Sequence, residues 1–337
     1  MAILTLNKKE LESKIGKIDD RVKDRINMFG TPIDSESENE INIEIFPNRP
    51  DLLSLQGFSR DFLAFLGKKT KSKKYKVEKP EKNYKVIIEK SVKKVRPYTA
   101  CAIVKGINFN DRKIMEVIDV QEKLHSSYGR NRKKLAIGIY PIEKIKLPII
   151  FLARKPENIK FQPLDFSSEI NGKQILSQHP VGREYGYLLE NFKEFPIFED
   201  SNKEILSMPP VINSEKTGKI NNETKDIFVE CSGFNKEYLE KTLNIIVCVL
   251  ADLGGKIYAV EIEDKGDNKN YLSPNLEQEK IEFSIEYVNK NLGLELKEKD
   301  IKRCLEKMNI EYERDKGKTY ALIPAYRTDI IHEIDIV

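Results

Sequence analysis

Residues 228 to 263 read FVECSGFNKEYLEKTLNIIVCVLADLGGKIYAVEIE, and no other stretch narrows the possible folds as much. An alternating run ends at Gly233, a helical pattern with a wholly apolar centre follows, Gly254 and Gly255 stop it, and a second β-like run begins at Lys256. A helix that is apolar around its whole circumference has to be covered, so this one is expected to lie on a sheet, with the second strand near the first. Residues 84–263 supply the rest of that sheet: YKVIIE, ACAIVKG, KLAIGIY, PIIFLA, DIFVECS and KIYAVEI are strand-like, and helical patterns fall near 112–127, 167–177 and 235–253. The fold class expected is α+β, with a large domain built on a mixed, mainly antiparallel sheet.

Two smaller modules flank it. Residues 1–66 read as a small α+β domain, with helical patterns near 8–29, a strand in INIEIF, and then PNRPDLLSLQGFSRDFLAFLG. There Pro47 and Pro50 force a turn, Asp51 or Ser54 can cap a helix, and Leu55, Phe58, Phe62 and Phe65 form its apolar stripe. Residues 67–83 are lysine-rich and read as a basic linker, and 264–275, DKGDNKNYLSPN, as a polar boundary. From 276 to 337 a strand (KIEFS), short helices at 284–291 and 297–308, and a hairpin turning at residues 315–318 suggest a compact winged-helix-like module. The last residues, PAYRTDIIHEIDIV, read as an amphipathic helix just begun, with Ile330, Ile331, Ile334 and Val337 on one face and no stop signal. A truncated or split chain is the expectation. There is no internal repeat.

Composition excludes several classes. Among 337 residues, 39% are hydrophobic and 33% charged, no apolar run reaches the roughly 18 residues of a spanning helix, and the first residues lack a basic leader followed by an apolar core. A cytoplasmic protein that does not enter the membrane is expected. Four cysteines and three histidines are scattered without a C-x-x-C pair, which indicates neither a disulfide framework nor a zinc site. The net charge of +4 is uneven: residues 59–134 hold 22 Lys and Arg against 8 Asp and Glu, and the remainder 36 against 46. Of the basic clusters, GKKTKSKKYK has no interleaved aromatic pattern and reads as a solvated linker more readily than as a phosphate-binding surface. YGRNRKK is more specific, because Arg130, Arg132 and Lys133 directly precede the strand-like LAIGIY and would meet a phosphate backbone from a strand mouth.

Common catalytic signatures are missing: no G-x-S-x-G, phosphate-binding loop, dinucleotide glycine pattern or H-E-x-x-H occurs. Residues 205–233, ILSMPPVINSEKTGKINNETKDIFVECSG, stand out instead, crowding hydroxyl, amide and proline residues before a strand. Alternation sends Ile227, Val229 and Cys231 to one face and Phe228, Glu230 and Ser232 to the other. A floor mixing an aromatic ring, a carboxylate and a hydroxyl would suit a polar-tipped aromatic ligand, with Glu230 accepting from a phenol. A turn-rich surface loop followed by an edge strand reads the same pattern equally well.

Six segments in order, FPNRPDLLSLQGFSRDFLAFLG, KLHSSYGRNRKKLAIGIYPIEKI, HPVGREYGYLL, LSMPPVINSEKT, FVECSG and PAYRTDIIHEIDIV, closely resemble the β subunit of archaeal and eukaryotic-type phenylalanyl-tRNA synthetase. The resemblance spans nearly the whole chain and implies an N-terminal module, a tRNA-editing module and the small module after it, without the catalytic-like domain that follows in that family. It further implies an α subunit as partner in a heterotetramer, tRNA(Phe) and, if the chain is a split rather than a truncated one, a separately encoded C-terminal half. Phenylalanine activation with ATP and Mg2+ would belong to the complex, and hydrolysis of mischarged tyrosyl-tRNA to this chain, with no cofactor needed. A site shaped for phenylalanine cannot strongly reject a ligand that merely adds a hydroxyl, which is the physical need for a second site. By motif, the editing positions fall on Ser207, Asn213, Glu230 and Ser232. The family usually carries aspartate and threonine at the last two, so Glu230 reaches one methylene further. Glu230 is expected to read the phenol, and Ser207 and Asn213 to serve the water or ester end. Asp329 and Asp335 match acidic positions of a shared magnesium site, whose other ligands would lie beyond the C-terminus. Two alternatives remain, a non-catalytic docking fragment with an inactive pocket and a free-standing trans-editing deacylase.

Overall fold

The computed structural model describes residues 2–69 and 72–337; Thr70 and Lys71, within the basic linker, lie outside the described residues. The chain divides into two compact units, residues 76–275 and residues 1–75 together with 276–337. No helix among the described residues is long and apolar enough to cross a membrane.

Residues 76–275 form two sheets. One has five strands in the order Val77–Glu78, Lys256–Tyr258, Tyr98–Lys105, Ile227–Gly233, Leu135–Pro141, antiparallel except for the first pair. The apolar helix, Lys236–Asp252, packs across its central strands as expected, capped where the Asn235 side chain accepts from the Tyr238 N–H. The strand after it lies near the first, with Tyr98–Lys105 between them. The second sheet has seven strands, in the order Ile212–Asn213, Ile205–Met208, Phe195–Glu199, Ile149–Arg154, Lys85–Ile88, Val260–Asp264, Lys269–Ser273. Lys85–Ile88 pairs in parallel with both neighbours, so the architecture is mixed α+β. Val86, Ile88, Phe151, Phe198, Val260 and Ile262 from this sheet share one buried cluster with Cys101, Ile103, Tyr140 and Phe228 from the other. Each large side chain buried there contributes about 1.5–3 kcal/mol of transfer free energy.

Three sequence-based boundaries shift. KIYAVEI is not one strand: Lys256–Tyr258 belongs to the five-stranded sheet, and beyond Ala259 the Val260–Asp264 strand belongs to the seven-stranded one. Residues 264–275 are no boundary, because Lys269–Ser273 pairs with Val260–Asp264 as an edge strand. An edge strand open to water carries the same polar residues as a linker, which is why composition misplaced it. Val77–Glu78, assigned to the linker, also pairs, alongside Lys256–Tyr258.

The other unit joins both ends of the chain, where the sequence suggested separate modules. Ala2–Asn7, Glu40–Ile45 and Ile33–Glu36 form an antiparallel sheet with helices Lys8–Ile15, Asp20–Met28 and Leu55–Phe65. Ser54 caps the last helix, and Phe58 and Phe62 are fully buried. The C-terminal part has the expected strand, two helices and hairpin, as Glu279–Phe283, Ile285–Leu292, Glu298–Lys307, Glu311–Asp315 and Lys318–Ile323. Asp61 ties the two parts together, accepting from Arg49 Nη2 at 2.7 Å, Asn309 Nδ2 at 2.8 Å and the Tyr326 hydroxyl at 3.3 Å. The expected terminal helix is confined to Glu333–Ile336, and Ile331 is 81% exposed, so it does not share a buried face with Ile330 and Val337.

Candidate functional site

Glu230 occupies the middle of the central strand Ile227–Gly233, opposite Cys101 on one neighbour and Gly138 on the other. Alternation places it on one face with Phe228 and Ser232. The strand is buried along its whole length and is flanked on both sides, so the edge-strand reading is excluded. Two residues beyond Gly138 on the same face is Tyr140, which the sequence reading passed over as one residue of a strand. A Cβ on Gly138 would stand 2.1 Å from the Tyr140 hydroxyl oxygen and 2.5 Å from Glu230 Oε1, so glycine here is the space in which phenol and carboxyl meet.

Three of the four expected pocket residues converge on that phenol. Tyr140 Oη lies 2.8 Å from Ser207 Oγ, 3.3 Å from Glu230 Oε1 and 3.4 Å from Asn213 Oδ1. Ser207 and Asn213 face one another in the register of Ile205–Met208 and Ile212–Asn213, joined by a turn containing the cis Pro209–Pro210 bond. Glu230, expected to read the phenol, and Ser207 and Asn213, expected at the water or ester end, are thus brought together around one hydroxyl. Ser232 does not touch that phenol; its Oγ accepts from Arg96 Nε at 3.0 Å, and its hydroxyl also opposes the rise of the Glu230 carboxyl. Arg96 is a second residue the sequence reading missed. Its signal was faint, one arginine among many lysines, whereas Tyr140 could have been found as the only polar-tipped side chain in an aliphatic strand.

Electrostatics centres on Glu230. Burial pushes its carboxyl up to about 8, against the opposing pull of the Arg96 charge and the Tyr140 hydrogen bond. Arg96 is in turn pushed down to about 10 by burial, with Glu230 opposing. Burial and the Glu230 charge hold the Tyr140 phenol well above its ordinary value. At neutral pH the cluster therefore holds a protonated carboxyl, able both to donate and to accept. Glu230 Oε2 is buried without a hydrogen-bond partner among the described residues. A cavity of about 380 Å3 lies beside this carboxyl, lined by Glu230, Asn213, Ile137, Val211, Pro209 and His125, among others.

Neither histidine lining this cavity is free to act as a base. His125 Nε2 accepts from the Ile137 N–H at 2.8 Å while Nδ1 lies 3.2 Å from Glu122, and burial lowers its pKa. His179 Nδ1 accepts from the Val181 N–H at 3.2 Å, which leaves Nε2 to donate to the Leu164 carbonyl at 3.0 Å.

The basic residues of YGRNRKK part company. Arg130, Asn131 and Arg132 have φ of 50°, 53° and 62°, three successive left-handed non-glycine residues, a conformation each adopts at a cost of about 1–2 kcal/mol. The turn aims Arg132 inward. Its Nη1 donates to the Val211 carbonyl at 2.9 Å, its Nη2 to both Glu122 oxygens at 3.1 Å, and its guanidinium lies 4.3 Å from the Tyr185 ring centroid. Burial alone would raise Glu122, but His125 and Arg132 hold it down at about 2. Arg132 is thus part of the cavity wall and not available to a phosphate backbone, whereas Arg130 and Lys133 are exposed.

Asp329 and Asp335 are both engaged elsewhere. Asp329 receives Arg327 through two hydrogen bonds of 2.7 Å, and Asp335 accepts from the Ile331 and His332 N–H groups at 2.8 Å. Among the described residues there is no group of three or more His, Cys, Asp or Glu that could hold a metal ion.

Comparison with known proteins agrees with this architecture. Residues 82–246 match the B3/4 domain and residues 281–337 the tRNA synthetase B5 domain. The chain is 39% identical over its full length to the phenylalanine--tRNA ligase beta subunit of Archaeoglobus fulgidus, covering 60% of it. It is 38% identical over its full length to that of Methanocaldococcus jannaschii, covering 61%. The crystal structure of an N-terminal fragment of the phenylalanyl-tRNA synthetase beta-subunit from Pyrococcus horikoshii superposes with a TM-score of 0.92 at 35% identity, over 99% of this chain and 97% of that one. Fold and domain content define a component of an aminoacyl-tRNA synthetase. The chain belongs to the phenylalanyl-tRNA synthetase β-subunit family, as its ordered motifs indicated, and spans about 60% of the length of the curated relatives it matches.

Proposed function

We propose that the chain hydrolyses the ester of tyrosyl-tRNA(Phe) in the cavity beneath Glu230, and that in a complex with an α subunit it takes part in phenylalanyl-tRNA formation. The observation that carries the reading is the unpartnered Oε2 of a fully buried carboxyl on a residue that lines a half-open cavity. A ligand phenol completes that group's hydrogen bonding, and a phenyl ring leaves it unsatisfied. Leaving a buried polar group unpaired costs about 1–3 kcal/mol, which corresponds to a tyrosine preference of roughly ten- to hundredfold. No protein nucleophile with its base is at hand in the cluster, so the attacking group is a water, positioned at the ester by the cavity wall. ATP and magnesium belong to the α subunit's chemistry, and none of the steps assigned to this chain uses them.

Deacylation of tyrosyl-tRNA(Phe) and phenylalanyl-tRNA(Phe) by the purified chain, measured side by side, tests the proposal. Faster release of tyrosine, with the preference reduced by Glu230→Ala, is the expected result. Equal inertness toward both esters would overturn it in favour of a tRNA-docking fragment.

A further inference from the structure

The most completely built feature that the proposed function does not use is Tyr140. A phenol in the middle of a buried strand has one proton to donate and two lone pairs, and this one stands within 3.4 Å of three polar side chains contributed by both sheets. Its ring is held in place on both sides: it lies over Gly138, where any Cβ would collide with the hydroxyl, and its centroid is 6.1 Å from that of Phe228 on the neighbouring strand. The two carboxyl oxygens of Glu230 are thereby made unequal. Oε1 is taken by the Tyr140 hydroxyl, and Oε2 has no hydrogen-bond partner among the described residues.

We propose that Tyr140 is a positioning and specificity-determining residue of this site: its hydroxyl binds Oε1 of Glu230 so that Oε2 alone is presented to the phenol of the incoming aminoacyl group. The inference rests on the deacylase reading above and deepens it. The same hydroxyl links Glu230 to Ser207 and Asn213 in the second sheet, so the carboxyl's orientation is set by both sheets and not by its own strand. Without the hydroxyl, the carboxyl is free to rotate either oxygen toward Gly138, and a ligand phenol meets a group that it has to orient as well as bind. The charged and titratable groups around Glu230 are few: Arg96 before the Tyr98–Lys105 strand, Cys101 on that strand, Cys231 beside it in sequence, and Tyr140. Of these, Arg96 and Tyr140 favour the ionised carboxyl, Arg96 through its charge and Tyr140 through a direct hydrogen bond.

Tyr140→Phe keeps the ring and its packing while deleting the bond. In the 337-residue chain it should lower the preference for tyrosyl-tRNA(Phe) over phenylalanyl-tRNA(Phe) about three- to tenfold, mainly by raising KM for the tyrosyl ester. It should also move the titration of the Glu230 carboxyl upward by about half a pH unit to one, followed by NMR of protein carrying 13C-labelled glutamate side-chain carboxyls and assigned with Glu230→Gln. A merely structural role for Tyr140 would move neither preference nor titration. If the unmutated chain discriminates and Tyr140→Phe alters neither, the positioning role is wrong. If the unmutated chain is inert toward both esters, the deacylase reading falls, and the carboxyl titration alone then decides: an upward movement upholds the Tyr140–Glu230 coupling, and an unmoved titration ends it.

Discussion

Glu230→Gln should abolish a pH dependence of stability that the unmutated chain shows between about pH 4.5 and pH 8. The folded carboxyl titrates at about 8, against 4.5 for an unperturbed glutamate. Below pH 4.5 both the folded and the unfolded chain carry the proton, and the group contributes nothing to the difference. Between 4.5 and 8 the unfolded chain releases the proton and the folded chain keeps it, so stability falls as pH rises, by about 1.4 kcal/mol per pH unit. Across that interval the loss has an upper value of about 5 kcal/mol, and above pH 8 it grows no further. Glutamine preserves the shape and an acceptor for Tyr140 and has no proton to lose. Urea denaturation of both proteins at pH 5 and pH 8, followed by circular dichroism, isolates the effect, because the titration of every other group cancels in the double difference. Relative to Glu230→Gln, the unmutated protein should lose several kcal/mol between the two pH values. Parallel profiles would mean that Glu230 titrates near its ordinary value, and that water or Arg96 solvates its charge far better than its burial implies.

Three further outcomes follow from the same contacts. Asp61→Ala leaves the buried Arg49 guanidinium without one of its carboxylates and Asn309 Nδ2 with the Tyr326 hydroxyl but not the carboxylate to accept from it, and should destabilise the unit formed by residues 1–75 and 276–337 by about 3–5 kcal/mol in the same denaturation assay. Arg132→Ala should slow deacylation of both esters and lower the melting temperature, since it frees Glu122 and the Val211 carbonyl in the cavity wall. Replacing exposed Arg130 and Lys133 together by glutamine should leave melting unchanged but, if they meet phosphates, reduce the slope of log affinity for tRNA against log salt by about one to two.

Much of this protein could be read from local patterns. The apolar centre of Lys236–Asp252 demanded a cover whatever the fold, Ser54 and the phenylalanine stripe after it specified a capped helix, and alternation alone put Phe228, Glu230 and Ser232 on one face. Those features are legible because each depends on residues within a turn or two of one another. The family could be recognised for a related reason, since its motifs are short segments in a particular order. What lay beyond the sequence depends on which strands become neighbours. Ser207 and Asn213 meet Glu230 only because a strand pair in one sheet faces a central strand in the other, and the residue that joins them, Tyr140, is 67 positions from Ser207 and 90 from Glu230. Arg132 looked like a phosphate ligand until a left-handed turn aimed it at Glu122 and the Val211 carbonyl. The raised pKa of Glu230 is likewise a property of place: the same carboxyl on an edge strand would be solvated and charged, and only enclosure between two sheets makes it a neutral, unsatisfied partner for a phenol.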